Sequence, residues 1–395
     1  MKTPSLILSA CLTGILTLSA QEKPEIAPVV EKDAAAPPKT VAPLTTPAPV
    51  RPRIEVCFVL DTTGSMSGLI EGAKQKIWSL ANEIISAKPA PEVKFSLVGY
   101  RDRGDAYVVK TSALTDDIDR IYSELRAFKA DGGGDTPESV SEALQAAVRE
   151  AKWSDDKSVL KIIYLVGDAP PHTDYKDGPD YRTVCREAAS KGVLINTIQC
   201  GNIAGTAEIW KEIAQKADGQ YVALAQTGNM RIVETPFDKE MQELNQKIGT
   251  TLIGCGSVQV RQQVAAKQFA SEAASASVAS SRLSYNWKDG KSVQGGGELI
   301  DEIAAGRRKL EEVKKDELPE ELRSLDADAL KKHVETKAAE RKALNEKLAE
   351  LVKKRDAWLA EDAKKNQGAP DSFDVKVSSI LREQAKAKGI QYETK

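Results

Sequence analysis

The sequence predicts a doubly wound α/β domain: a mostly parallel six-stranded sheet flanked by helices, followed by a charged α-helical C-terminal region. Three observations lead there. Apolar runs rich in Val, Ile and Leu recur at 54–60, 159–166 and 193–200, which suits strands covered on both faces. Segments with helical spacing of apolar residues alternate with them, as a parallel sheet requires. Beyond residue 250 the apolar runs give way to charge.

In chain order, residues 1–20 read as an export signal: Lys2, a largely apolar stretch from Leu6 to Leu18, then Ser19-Ala20. The expected location is therefore exported: periplasmic, cell-envelope or secreted. Leu8-Ser9-Ala10-Cys11 offers a minor alternative, lipidation at Cys11. The Pro/Ala-rich stretch 21–52 cannot pack a core and reads as an extended or disordered linker. No other segment has the length and apolarity of a membrane span.

Residues 53–254 hold the predicted sheet domain. The strand Ile54-Glu55-Val56-Cys57-Phe58-Val59-Leu60 ends in Asp61. A helix to about residue 87 follows, with Leu69, Ala73, Ile77, Leu80 and Ile84 on one face. Segments 93–99 and 106–110 form a strand pair, and helices are expected at 116–129 and 137–152. Strands at 159–166, 193–200 and 220–225, a helix at 206–216 and a closing helix at 237–248 complete the plan.

The chemistry sits where strands end. Asp61, Thr63 and Ser65 fall on the loop after the first strand, where open α/β sheets place their ligands. Asp131-Gly132-Gly133-Gly134-Asp135-Thr136-Pro137-Glu138 brings Thr136 to a loop-to-helix boundary, and Gly167-Asp168-Ala169-Pro170-Pro171-His172 ends another strand in a carboxylate. Carboxylates and hydroxyls without Cys or His are hard oxygen donors, suited to Mg²⁺ above all, or to Mn²⁺ or Ca²⁺. Asp135 and Glu138 suit an outer coordination shell or a helix N-terminus equally well and are left out of the direct ligands. His172 reads as a solvent-facing loop histidine, and Arg103-Gly104-Asp105 as a chance tripeptide.

With these three loops the chain resembles a von Willebrand factor type A (VWA) domain over about residues 53–250, and they match that family's metal-ion-dependent adhesion site. The motifs look closest to domains of bacterial envelope proteins and of the alpha-kinase-linked group. One ligand departs from the usual pattern, since Thr63 stands where Ser is commoner; the hydroxyl is retained. The resemblance implies that Asp61, Thr63, Ser65, Thr136 and Asp168 hold a divalent ion. It also implies that an acidic residue of a protein partner completes the shell.

The remainder is less informative. Residues 255–297 read as an Ala/Ser-rich helix over 259–282 and a Gly-rich linker, and 298–395 as charged helices over 298–315, 326–364 and 373–388. From Glu298 onward acidic and basic residues are equal in number, and the whole chain has a formal net charge of -2, which gives no case for nucleic acid. Leu344, Leu351 and Trp358 lie seven apart, but Lys337, Arg341 and Arg355 interrupt the stripe; a hairpin packing on itself or on the sheet is expected over an oligomerising coiled coil. Cys57 and Cys200 read as buried thiols, with pairing among Cys57, Cys185, Cys200 and Cys255 open. No catalytic elbow, zinc helix or phosphate loop appears, so a non-enzymatic binding module is expected. An envelope scaffold acting through the helical tail, or a metal-dependent hydrolase using Asp61 and Asp168, are the alternatives.

Overall fold

Strand β1 (Arg53–Asp61) is the centre of the molecule, and its alternating residues serve two separate cores. Ile54, Val56, Phe58 and Leu60 point to one face, and Cys57 and Val59 to the other. This is the period-2 consequence of a strand with no solvent-facing side. The computed structural model of the chain describes residues 51–365 and 371–392. The export signal, the Cys11 alternative and almost all of the linker lie outside the described residues.

Six strands form one sheet in the order β3-β2-β1-β4-β5-β6. Strands β2 (Glu92–Tyr100), β4 (Leu160–Gly167), β5 (Val193–Cys200) and β6 (Tyr221–Leu224) run parallel with their neighbours, and β3 (Val109–Thr115) is the antiparallel edge. The expected strand at 106–110 lies further along the chain than predicted. Polar Lys110, Thr111 and Ser112 hide β3 from a hydrophobicity criterion, as is common for an edge strand.

Helices α1 (Ser67–Ile84) and α2 (Ile118–Ala127) cover the first face, where Leu69, Ala73, Ile77, Leu80 and Ile84 are all buried. On the second face lie α3 (Val140–Glu150), α4 (Tyr181–Ser190) and α5 (Thr206–Lys216), packed through Leu144, Val184, Trp210 and Ile213. Each such buried side chain contributes roughly 1.5–3 kcal/mol. Helix α4 has no counterpart among the expected elements. Its start is marked by Asp180, whose carboxylate accepts hydrogen bonds from the Arg182 and Thr183 amides.

After α6 (Asp238–Gly249) the chain returns to the sheet. The predicted helix at 259–282 is two helices, α7 (Val258–Glu272) and α8 (Ala276–Asp289). The expected break at Tyr285-Asn286-Trp287 is the last part of α8, with Tyr285 and Asn286 buried and Trp287 exposed. Ser277, Ser280, Ser281 and Ser284 are buried there, because small side chains let α8 approach α1 and α6 closely. The predicted helix at 298–315 shrinks to α9 (Leu299–Ala304), which stops before Gly306 in the left-handed region at φ +68°. Helix α10 (Ala327–Lys365) crosses α6 through Leu348, Leu351 and Val352. Helix α11 (Phe373–Lys386) lies on the first face, where the Tyr164 hydroxyl donates to the Val377 carbonyl at 3.2 Å. The described residues form one compact unit.

Three buried arginines fasten these helices. Arg282 of α8 meets Asp119 of α2 through two bonds of 2.6 and 2.7 Å. Arg341 of α10 reaches Glu298, Asp301 and both oxygens of Thr251, all between 2.7 and 3.0 Å. Arg355 of α10 binds Asp238 at 2.7 Å and the Ser281 hydroxyl at 3.0 Å. Arg341 and Arg355, which interrupt the apolar stripe in the sequence, are therefore two of the points at which α10 docks.

Candidate metal centre

Parallel pairing of β1 with β4 sets Leu60 beside Val166, so Asp61 and Asp168 emerge side by side at the carboxyl end of the sheet. Both are buried. Between them, Gly167 is required by space: a Cβ there would lie 2.3 Å from the Tyr100 hydroxyl and 3.1 Å from Asp61 Oδ2.

Asp61 organises the first loop. Its Oδ1 accepts from the Thr63 amide at 2.9 Å and from the Thr63 hydroxyl at 2.6 Å, and the Thr63 and Ser65 hydroxyls lie 3.2 Å apart. Its Oδ2 has no hydrogen-bond partner. An orphaned buried carboxylate oxygen is rare and asks for a ligand. Burial, with a smaller push from neighbouring Asp168, raises the Asp61 carboxyl to about 7, while its bonds to Thr63 hold it lower than it would otherwise lie.

The second loop lies over the first. The Gly64 amide donates to the Gly132 carbonyl at 3.3 Å, and the Asp131 amide to the Thr62 carbonyl at 3.2 Å. Gly132 and Gly133 adopt φ of +77° and +81°, which only glycine tolerates readily. Asp105 holds the turn, its carboxylate accepting from the Gly133 and Asp102 amides at 3.1 and 3.2 Å. The Arg103-Gly104-Asp105 tripeptide is thus engaged within the fold, with Arg103 bound to Asp177 and Glu142. Thr136 is exposed on this loop and stands outside the hydrogen-bonded set of Asp61, Thr63 and Ser65. The structure thus gathers Asp61, Thr63, Ser65 and Asp168, with Thr136 on the loop above.

Three residues join the site that the sequence analysis did not place among its ligands. Gln226, just past β6, donates to Asp168 Oδ2 at 2.6 Å and to the Ser65 carbonyl at 3.2 Å, tying the first and third loops. Its only sequence signal is its place after the carboxyl end of a strand. Glu138 is buried, with Oε2 unpartnered; burial, then the charges of Asp61, Asp102, Asp105 and Asp168, push its carboxyl up to about 9. Asp105 is the third.

His172 is buried, contrary to the solvent-facing expectation. It stacks on Tyr175 with ring centroids 4.0 Å apart, its Nδ1 lies 2.7 Å from Asp174, and its Nε2 lies 3.3 Å from Asp102. Asp102 also accepts from the Ser139 hydroxyl at 2.9 Å. Ligating atoms of Asp102, the exposed Asp135 and His172 fall within 4.8 Å of one another. All four described cysteines are free and buried, which settles their pairing here.

The donor set fits a hard divalent ion. Asp61, Thr63, Ser65 and Asp168 offer oxygen only, and the orphaned Asp61 Oδ2 lies among acidic groups whose charges a cation would offset.

Residues 55–236 match the family described as von Willebrand factor A domain. Human von Willebrand factor A domain-containing protein 7 is 34% identical over 122 residues, 31% of this chain and 12% of that protein. A putative ariadne-like RING finger protein of Acanthamoeba polyphaga mimivirus is 22% identical over 51% of this chain and 20% of its own length. The chain thus spans a fifth or less of either relative. Among solved structures, the SpRpn10 VWA domain aligns with a TM-score of 0.34 and 17% identity, over 45% of this chain and 89% of that one.

Proposed function

With residues 55–236 forming a von Willebrand factor A domain, we propose that this chain is a metal-dependent protein-binding module rather than an enzyme. Domains of this family mediate protein interactions, and many bind a divalent ion. In this reading Asp61, Thr63 and Ser65 hold the ion, most favourably Mg²⁺, at the top of the sheet. Asp168 and Thr136 complete the cage directly or through water. A Glu or Asp of a protein partner would then be drawn to the ion.

The observation that carries the reading is the buried Asp61 Oδ2, which has no partner although the other oxygen of the same carboxylate has two. A buried carboxylate left half-bonded costs several kcal/mol unless a cation or a proton relieves it. Two hydroxyls of the same loop stand beside it, which is ligand chemistry for Mg²⁺ and gives no base for hydrolysis. An extracytoplasmic location belongs to the reading, supported by the apolar run from Leu6 to Leu18 closed by Ser19-Ala20.

Calorimetric titration with Mg²⁺ and Mn²⁺ tests it. Asp61→Ala should lose most of the ion affinity while circular dichroism stays native, and a chelator should abolish partner capture from an envelope extract. Unchanged ion affinity in the variant would sink the assignment, and capture that survives chelation would move the interaction to the helical layer.

A further inference from the structure

Helix α7 turns its charges inward and an uncharged side outward, the reverse of an ordinary surface helix. Arg261 donates to the Gly256 and Asp316 carbonyls, and Lys267 to Asp117 and the Gln294 carbonyl. Glu272 accepts from the buried Gln268 at 2.7 Å. These three charged side chains of α7 are all half-buried. What faces outward is Val258, Gln262, Ala265, Ala266, Phe269 and the capping Ala273. At about 100° per residue, these six fall within one stripe about 100° wide. Phe269 is 73% exposed and Val258 53%. In a chain with 29% charged residues, an outward helix face with no charge and a bare phenyl ring is a contact surface without its partner.

We propose that this stripe is a homodimer contact, in which α7 of one copy pairs antiparallel with α7 of a second copy of this chain. Charge and register both select that occupant. A charged partner face would bury its charges unpaired against the stripe, whereas the stripe itself brings none. A two-fold axis between Ala265 and Ala266 sets Val258 opposite Ala273, Gln262 opposite Phe269 and Ala265 opposite Ala266, as an isologous contact requires. Each large apolar side chain then meets a small or a flexible one. The alanines at the axis let the helices approach to about 8 Å. From Val258 to Ala273 the stripe is about 22 Å long, so it buries a few hundred Å² per copy, about half of the roughly 800 Å² per partner of a standard interface. The dimer is therefore reversible, with a dissociation constant of about 10–100 µM. It uses no residue of the ion site and stands apart from that reading.

Sedimentation equilibrium on the full chain between about 1 and 300 µM reads the association. Wild type should pass from monomer to dimer across that range. Phe269→Glu and, separately, Ala266→Glu place a charge on the stripe and should each weaken the dimer by about tenfold or more. Both positions are exposed, so the fold should survive, which circular dichroism checks. Gln262→Lys added to Phe269→Glu should restore association, because each lysine then faces the partner's glutamate. A monomer throughout the range overturns the proposal and leaves the face to a different protein. So does a dimer that both glutamate variants leave unchanged, or one that the double variant fails to restore. Should a glutamate variant not fold, Ala265→Cys decides: the described cysteines are buried, so mild oxidation should join two copies through the new thiol beside the axis. Absence of that covalent dimer at the highest concentration refutes the pairing.

Discussion

Replacing Asp61 with Asn removes one charge and little else. The amide oxygen can still accept from the Thr63 amide and hydroxyl, as Oδ1 does at 2.9 and 2.6 Å. In the ion-free protein burial raises the Asp61 carboxyl from its ordinary 3.8 to about 7. The folded state therefore keeps this proton to a higher pH than the unfolded chain does. This group's penalty is absent below its unfolded value and complete once pH has passed through the folded one, so stability falls as pH rises between them. Three units at about 1.4 kcal/mol each amount to about 4 kcal/mol, of which about 3 kcal/mol accrues between pH 5 and pH 8. Urea unfolding of chelated wild type and Asp61→Asn at about pH 5 and pH 8 reads this difference directly. Wild type should lose about 3 kcal/mol more than the variant over that interval, and Mg²⁺ at the higher pH should restore wild type alone. Equal pH dependence in the two proteins would refute the argument that an ionised Asp61 is destabilising without a cation.

Other outcomes follow from the same geometry. Thr136→Ala should cost little in ion affinity but much in partner capture, since Thr136 lies on the exposed second loop; equal losses in calorimetry and pulldown would make it an ordinary ligand. Gly167→Ala should weaken Mg²⁺ binding and lower thermal stability together, because its methyl would meet the Tyr100 hydroxyl at 2.3 Å; an unchanged melting temperature would contradict the packing. Arg341→Ala should destabilise the chain by about 3–5 kcal/mol in urea, leaving Glu298 and Asp301 buried and unpaired. Limited proteolysis should leave most of 51–392 as one fragment, because the segments after Thr250 pack on the sheet.

The sheet and the motif loops were legible because each rests on local pattern. β1 and β4 are short apolar runs ending in carboxylates, and the strand-end rule places Asp61 and Asp168 together without any long-range information. The residues that bind these loops to each other carry no such pattern. Gln226 is one glutamine after a short strand, and Asp105 belongs to a tripeptide with an unrelated association. Glu138 suited an outer coordination shell and a helix start equally well, and the sequence pattern does not separate the two. The tail was hardest. Ala and Ser in α8 signal weak helix packing by hydrophobicity, yet they are buried because they are small. Arg341 and Arg355 likewise look like breaks in an apolar stripe until Glu298 and Asp238, distant in sequence, are seen to receive them.

Helix α11 sets an order on how the chain can fold. Asn196 of β5 exchanges two side-chain hydrogen bonds with Gln384, at 3.0 and 2.8 Å, and Lys76 of α1 meets Asp374 at 2.9 Å. The Tyr392 hydroxyl closes on the Ile84 carbonyl at 3.0 Å. These partners lie 188, 298 and 308 positions apart, so the part of this face that α11 covers cannot close while the ribosome is still making α10. Contacts of such separation slow folding, since a long loop must be ordered before any of them forms. Until the last helix is released, the growing chain carries an open apolar face between α1 and β5, the kind of surface that aggregates or recruits a chaperone. Ending synthesis before Phe373 would leave that face open permanently, even though every residue of the metal loops had already been made.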